Sequence, residues 1–465
     1  MTRGGPIVLE YRLAELPTAQ HRSGLAGLVL LARSRKRPGL ELLEVAADRA
    51  AFGLDLAGLE QLFAEIHGTE PGGGRPWRPR ADFMAGQEPG GPDPDGLWTR
   101  LWRDWLWAVP CASAKAREPF ESRAEGRPAL DAAQAWSDLG SDGAATELDG
   151  GTLLGSFALN FDQVPVREPV RWRFLLNFWP WASMVFLLRR SRAWGGRNDQ
   201  DGFLAAVADI GDLAGFCAAF PAMLRQRGRE RVGPRPREAL LDHPAEAALE
   251  FARRLEGPGA GGPALAYEAY HAKVHGKGMR VQAVFRLRPD RDQLAEYRAF
   301  RALGYCDPTF RRGGIQNLLD RGPWFGNFQE VFGPAGCLRR TILCEPFRRD
   351  ARMAFRVAAR NSACGRPLEA LVRDRVSEWV LGRVRARCGE EPGSPGFQEQ
   401  RRQVALAEFQ VLRERPAAAV AAWFGTTILA FTSLETAEAR RLGQALGEDP
   451  GRVQIMALLA LAAVA

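Results

Sequence analysis

The hydrophobic pattern of the chain changes once, near Arg349, and that change decides which class of fold is open to it. Beyond it, Met353–Arg360, Leu368–Arg387, Phe397–Arg413, Ala417–Phe431, Thr436–Leu446 and Arg452–Val464 read as helices, with Gly or Pro between most of them. Such spacing predicts a bundle of packed helices. Before it, strand and helix patterns alternate. Ile7 to Leu13 alternates like a half-buried strand, and Thr18 stands where a cap would open a helix over Ala19–Ala32. Leu40–Ala46 reads as a second strand, and Leu56–Ile66 as a short helix with Leu59, Leu62, Phe63 and Ile66 on one face. A single core rarely grows past about 250–300 residues, so 465 residues call for at least two domains. The expected class is α+β: a mixed α/β N-terminal body over 1–350, then an all-α helical bundle over 351–465.

Further strands are expected in Leu153–Val166 and Trp172–Leu188, and a helix near Ala245–Leu255. Gly68–Gly96, Arg225–Arg237 and the Gly/Pro run Gly257–Pro263 read as loops. Between them, Trp98, Trp102 and Trp105 fall along one helical face, a spacing that suits core packing better than base stacking. The longest apolar run, Phe174–Leu188, is interrupted by Asn177 and Pro180 and falls short of the ~20 residues that span a bilayer. No membrane role is expected. Seven scattered cysteines without a Cys-x-x-Cys pair argue against a zinc ribbon or a disulfide framework and fit a cytoplasmic protein.

The formal charge of +8 is unevenly distributed: Pro221–Arg352 holds 24 Lys and Arg against 15 Asp and Glu. A basic segment of this kind neutralises phosphate without reading sequence, although a solvated basic surface has the same composition. The phosphate loop Gly-x-x-x-x-Gly-Lys-Ser/Thr, the elbow Gly-x-Ser-x-Gly and the zinc helix His-Glu-x-x-His are all missing from the sequence. His271 and His275 have metal-ligand spacing on a helix, but Gly276, Gly278 and the alternation of Val281–Leu287 put them at a loop or strand boundary. The expectation is a binding protein, not an enzyme, with no cofactor and no metal.

Two of the four lysines, Lys273 and Lys277, lie among glycines that let a phosphate approach the backbone. They form the first candidate nucleic-acid contact. Arg311 and Arg312 form the second, ahead of Gly313, Gly314 and the aromatics Trp324, Phe325 and Phe328; a basic loop capping a helix explains the same residues.

Three stretches carry a family resemblance: Leu16-Pro17-Thr18-Ala19-Gln20-His21-Arg22-Ser23-Gly24-Leu25-Ala26-Gly27-Leu28, Asp95-Gly96-Leu97-Trp98 through Leu101-Trp102-Arg103-Asp104, and Pro119-Phe120-Glu121-Ser122-Arg123-Ala124. Asn177-Phe178-Trp179-Pro180, Pro244-Ala245-Glu246, Phe310-Arg311-Arg312-Gly313 and Trp423-Phe424-Gly425-Thr426-Thr427 support it. The chain resembles the large subunit of Myxococcus-type (MYXAN) type I CRISPR surveillance complexes, or Cascade, related to subtype I-B. Its Gly/Pro-rich stretches at 68–95 and 257–263 depart from that pattern.

The resemblance implies a subunit that recognises the protospacer-adjacent motif, holds the opened strands beside the guide RNA and recruits a helicase-nuclease or transposition proteins. Guide pairing reads the sequence, while the protein reads a short duplex motif and backbone. Its implied partners are the CRISPR guide RNA, target double-stranded DNA, the displaced strand and the other Cascade subunits. On this view Asn160 and Gln163 are candidates for reading the motif, since amides pair with base edges; satisfying a turn is the alternative. Gln20, His21 and Arg22 either contact the guide's 5′ end or a neighbouring subunit, or fix the helix entry. The C-terminal helices resemble the small Cascade subunit, with Leu371, Val372, Val376, Trp379 and Val380 facing a core and Arg373, Arg383 and Arg387 left for strand contact. Met353 is placed to serve as an internal start for that part. A metal-dependent nuclease built on His271 and His275, or a general RNA-binding assembly protein, are the rival readings.

Overall fold

In the computed structural model the described residues are 5–34, 37–67, 132–141, 143–147, 167–189, 200–227, 240–256, 262–275, 278–301, 308–321, 348, 352, 368–388, 393–430 and 432–465. Compactness divides the chain into Met1–Asp290 and Arg291–Ala465. Sheets lie in the first unit, and the described secondary structure of the second is helical, so the class is α+β with a helical C-terminal part. The sequence places the change from mixed body to bundle at 350/351; compactness groups the two helices that precede it with the second unit.

The first unit opens with strand β1 (Ile7–Arg12) and helix α1 (Ala19–Ser34). Thr18 Oγ1 accepts from the His21 amide at 3.4 Å, the expected cap. Strands β2 (Leu40–Val45) and β3 (Arg49–Leu54) follow, then helix α2 (Leu56–His67), in which Asp55 Oδ1 accepts from the Gly58 amide at 2.8 Å. The three strands form an antiparallel sheet in the order β1-β3-β2. Its central strand β3 was not expected from the sequence, because Ala50, Ala51 and Gly53 dilute the alternation that marks a strand.

After α3 (Ala132–Gly140) and the short pair β4 (Ala145–Glu147) and β5 (Arg167–Pro169), the chain turns into α4 (Val170–Leu175). A 3-10 turn at Trp179–Ala182 then leads to β6 (Ser183–Arg189). The strand expected over Trp172–Leu188 is therefore half helical. A continuous apolar run does not separate a buried strand from a buried helix, and here Pro180 divides the two.

Strand β7 (Gln200–Ile210), helix α5 (Leu213–Arg227), the short β8 (Leu240–Leu241) and helix α6 (Glu246–Glu256) come next. A long hairpin of β9 (Ala264–His275) and β10 (Gly278–Leu287) completes a five-stranded sheet, β10-β9-β7-β6-β8, antiparallel except for β6 with β8. Phe251 on α6 meets Tyr267 of β9 edge to face at 5.6 Å and covers one face of this sheet; Phe220 of α5 extends the cluster. Helix α1 crosses the other face, where Ser23 Oγ donates to the Ala208 carbonyl at 2.7 Å.

Close packing of α1 depends on two glycines. A Cβ at Gly24 would overlap the Leu175 carbonyl oxygen, and one at Gly27 that of Phe178. One turn of α1 is thus seated on the backbone of the segment that leads into β6.

In the second unit, α7 (Arg291–Arg301) and α8 (Pro308–Leu319) precede α9 (Leu368–Cys388) and α10 (Pro395–Arg413). Ser394 Oγ caps α10 by accepting from the Phe397 amide at 3.1 Å, with Pro395 as its first residue. The expected helix Ala417–Phe431 resolves into a 3-10 turn, the four-residue α11 (Val420–Trp423) and a π-helical stretch, Phe424–Leu429. Thr426 Oγ1 accompanies this departure by donating to the Ala422 carbonyl at 2.8 Å. Helix α12 (Thr436–Glu448) and helix α13 (Pro450–Val464) close the chain. Helix α13 is buried along most of its length and packs against α9, α10, α11 and α12. Its Gln454 Nε2 donates to the Leu412 and Arg415 carbonyls at 2.7 and 2.9 Å, satisfying the end of α10. Among the described residues, no helix is long and apolar enough to cross a membrane.

Candidate nucleic-acid interface

A basic surface among the described residues lies at the C-terminal end of α9. Leu371, Val372, Val376, Trp379, Val380 and Val384 are buried against the bundle, so the helix is fixed in rotation. That leaves Arg383, Arg385 and Arg387 exposed in its last turns. Cationic side chains are stabilised there by the carbonyl end of the helix dipole. The Arg383 guanidinium lies 5.9 Å from the centroid of the Trp379 ring, which limits its freedom, and no carboxylate among the described residues pairs with any of the three. Arg373 is different: it pairs with Asp374 at 2.6 Å.

The other expected contacts are placed otherwise. Lys273 lies within strand β9, not in a loop; its side chain is 38% exposed and its ammonium pairs with Asp201 at 2.8 Å. The first strand of the hairpin runs to His275 and the second starts at Gly278, so Gly278 is a strand residue, while Gly276 lies outside the described residues. His271 is buried beside it, with Nε2 3.0 Å from the Asp201 carbonyl oxygen. Gly202, at φ 121°, lets these strands approach, since a Cβ would overlap the Ala272 carbonyl. Lys277, Asn160, Gln163 and Met353 lie outside the described residues, as do Trp98, Trp102 and Trp105 with the helical face expected of them, the strand expected over Leu153–Val166 and the aromatics Trp324, Phe325 and Phe328.

Arg311 and Arg312 lie inside α8, so the expected basic loop is a helix with Gly313 and Gly314 in its interior. Arg311 is buried, its guanidinium 5.3 Å from the Phe300 ring centroid, and Arg312 is half-buried. Glycine lowers helix propensity without forbidding a helix that tertiary packing supports.

Gln20, His21 and Arg22 face inward. Gln20 and His21 are buried, and the His21 ring sits between Thr18 Oγ1 at 2.7 Å and Glu168 Oε2 at 2.9 Å. Arg22 donates to the Leu13 and Leu16 carbonyls, each at 3.1 Å, and pairs with Asp209. This fixes the turn that enters α1. Asp209, 2% exposed, is shared with Arg286 of β10 at 2.6 Å; Arg286 also reaches Glu268 at 3.4 Å. Tyr270 donates to Glu268 at 2.5 Å, and burial, followed by the Glu268 charge, raises its pKa well above the ordinary tyrosine value. Arg286 was not singled out from the sequence. The alternating exposure of Gln282, Val284 and Arg286 along β10 is the pattern that identifies it.

Residues 75–259 match the type I-B CRISPR Cas8b N-terminal domain, and 264–464 match the Cas8b C-terminal domain. No curated protein matches the chain. Since two adjoining domains of one family account for most of its length, the chain belongs to the Cas8b family and is a type I-B CRISPR large subunit.

Proposed function

We propose that the chain recognises the motif flanking a guide-matched target and holds the opened DNA strands, with α9 contributing a backbone-binding surface. The observation that carries this reading is the pair of exposed arginines 383 and 387, one turn apart on one face of a helix locked by its buried side and unpaired with any described carboxylate. Arginine on a rigid support suits phosphate, because little of its orientation is lost on binding. The resemblance supports a cytoplasmic, non-catalytic role alongside guide RNA, target duplex, displaced strand, the other Cascade subunits and a helicase-nuclease or transposition machinery. It also supports the finer placement among Myxococcus-type systems and a likeness of 351–465 to the small Cascade subunit.

The test is Arg383→Ala with Arg387→Ala in the assembled complex, titrated with target DNA over a salt series. Each lost contact to single-stranded DNA removes about 0.7 from the salt slope, and each to duplex about 0.9. Unchanged affinity and slope in a folded complex would overturn the role given to α9. Lys273→Ala with Lys277→Ala is the comparison; half of that pair already has Asp201 as its counter-charge, so its effect on the slope is the smaller.

A further inference from the structure

Asn160 and Gln163, the amides suited to base edges, belong to 148–166, outside the described residues, but the two strands that bracket that stretch are described. Strands β4 and β5 pair Ala145 with Pro169, Thr146 with Glu168 and Glu147 with Arg167, so Glu147 and Arg167, the residues on either side of 148–166, stand side by side. A two-stranded ladder of three pairs is marginal by itself, and its place is set by what its side chains hold.

Both strands are held from below. Glu168 turns inward from β5, 6% exposed, and its Oε2 lies 2.9 Å from Nε2 of His21, itself 1% exposed on α1. The other ring nitrogen of His21 is 2.7 Å from Thr18 Oγ1, so the imidazole is fixed at both ends. On β4, Thr146 Oγ1 and the Glu147 carbonyl both accept from Nη1 of Arg173 on α4, at 2.8 and 2.7 Å. The Ala144 carbonyl accepts from the Val170 amide at 2.9 Å. These supports are themselves anchored. Helix α1 is tied to the five-stranded sheet through Ser23 and seated on Leu175 of α4 through Gly24, and Tyr11 of β1 donates to the Arg171 carbonyl at 3.1 Å. A continuous set of contacts thus runs from the five-stranded sheet through α1 and His21 to β5, and through α4 and Arg173 to β4.

We infer that His21, Glu168 and Arg173 are positioning residues for recognition of the flanking motif, fixing the strands from which 148–166 is presented to the target duplex. Side chains that read base edges need their geometry held to within about 0.5 Å, and that hold comes from the contacts behind them. His21, buried in the fold, acts on this view through Glu168 and not by touching guide RNA or a neighbouring subunit. The inference rests on the motif-reading role proposed above for this chain.

The test uses the assembled, guide-RNA-bound complex and guide-matched duplexes with randomised flanking nucleotides. The quantity read is the ratio of affinities between the preferred and the disfavoured flanks. Glu168→Ala and, separately, Arg173→Ala are expected to lower that ratio by about tenfold, with assembly on guide RNA unchanged. Glu168→Gln, which keeps an acceptor for the His21 ring, is expected to keep the wild-type ratio. Half-buried Arg173 keeps the test decisive if Glu168→Ala fails to fold. An equal loss of affinity on every flank, accompanied by a lower melting temperature, would show the contacts to be merely structural and overturn the inference. A wild-type ratio in both alanine variants, when Asn160→Ala with Gln163→Ala lowers it, overturns the positioning role alone. An unchanged ratio in the Asn160→Ala, Gln163→Ala protein overturns motif reading by 148–166, and this inference with it.

Discussion

Replacing Gly27 by alanine sets two effects of opposite sign against each other. Helix propensity favours alanine by about 1 kcal/mol in a helix interior. Geometry opposes it: the new methyl would overlap the Phe178 carbonyl oxygen and lie 2.8 Å from its carbon and 3.2 Å from Phe178 Cβ. These are backbone and near-backbone atoms of a fully buried residue, next to a 3-10 turn that feeds directly into β6, so there is no flexible tip to give way. Overpacking of this kind costs about 1–3 kcal/mol, and more where backbone must move. The net expectation is destabilisation by about 1–2 kcal/mol, a fall in the protection of α1 amides of roughly 5- to 30-fold. Hydrogen exchange read by mass spectrometry on peptides from 19–34 measures this without requiring the whole chain to unfold in one step. Gly443→Ala on α12 is the control, since nothing stands within 4 Å of its Cβ position, and propensity alone should slow exchange there. Slower exchange in α1 of the Gly27→Ala protein would show that the seat on Phe178 is looser than described and refute the reasoning.

Asp209→Asn weakens the shared anchor of Arg22 and Arg286; because those side chains are 21% and 58% exposed and recover water, the cost in urea unfolding should be about 1–3 kcal/mol, and no loss would show the pairs to be idle. Burial pushes the Cys217 thiol up to about 12, so at pH 8 only about one molecule in 10⁴ carries its thiolate; iodoacetamide should label half-buried Cys388 well before Cys217 in the native protein, and equal rates would contradict the packing of α5 on α1. Asn160→Ala should reduce discrimination between flanking motifs while leaving guide-RNA association intact; equal loss on every flanking sequence would show that the amide does not read bases.

The elements legible in the sequence are those with one wet face. Helix α9 declared Leu371, Val372, Val376, Trp379 and Val380 by spacing, and all five are buried. Strand β1 declared itself by alternation and α1 by its Thr18 cap. Strand β7 did not, because Leu204 to Ala208 are buried on both faces and leave no alternation to read. The candidate site was legible in residue type and not in setting. Arg311, Arg383 and Arg22 look alike in a sequence, yet one is buried over a phenylalanine, one is exposed at a helix end and one holds a turn. What separates them is tertiary: which helix face a neighbour covers, and whether a carboxylate distant in sequence arrives beside the guanidinium.

The hairpin of β9 and β10 also bears on how the protein can be divided. The family boundary falls at 259–264, ahead of β9, but β9 pairs with β7 from Ile210–Ala264 through Phe203–Ala272. A fragment beginning at 264 would carry the hairpin away and expose a long, apolar strand edge on each half, the template from which chains aggregate. A chain nicked within 257–261, by contrast, should stay associated, because the ladder, not the peptide bond, holds the two pieces side by side. The same ladder makes this a natural place to split the protein into two halves that reassemble when made together.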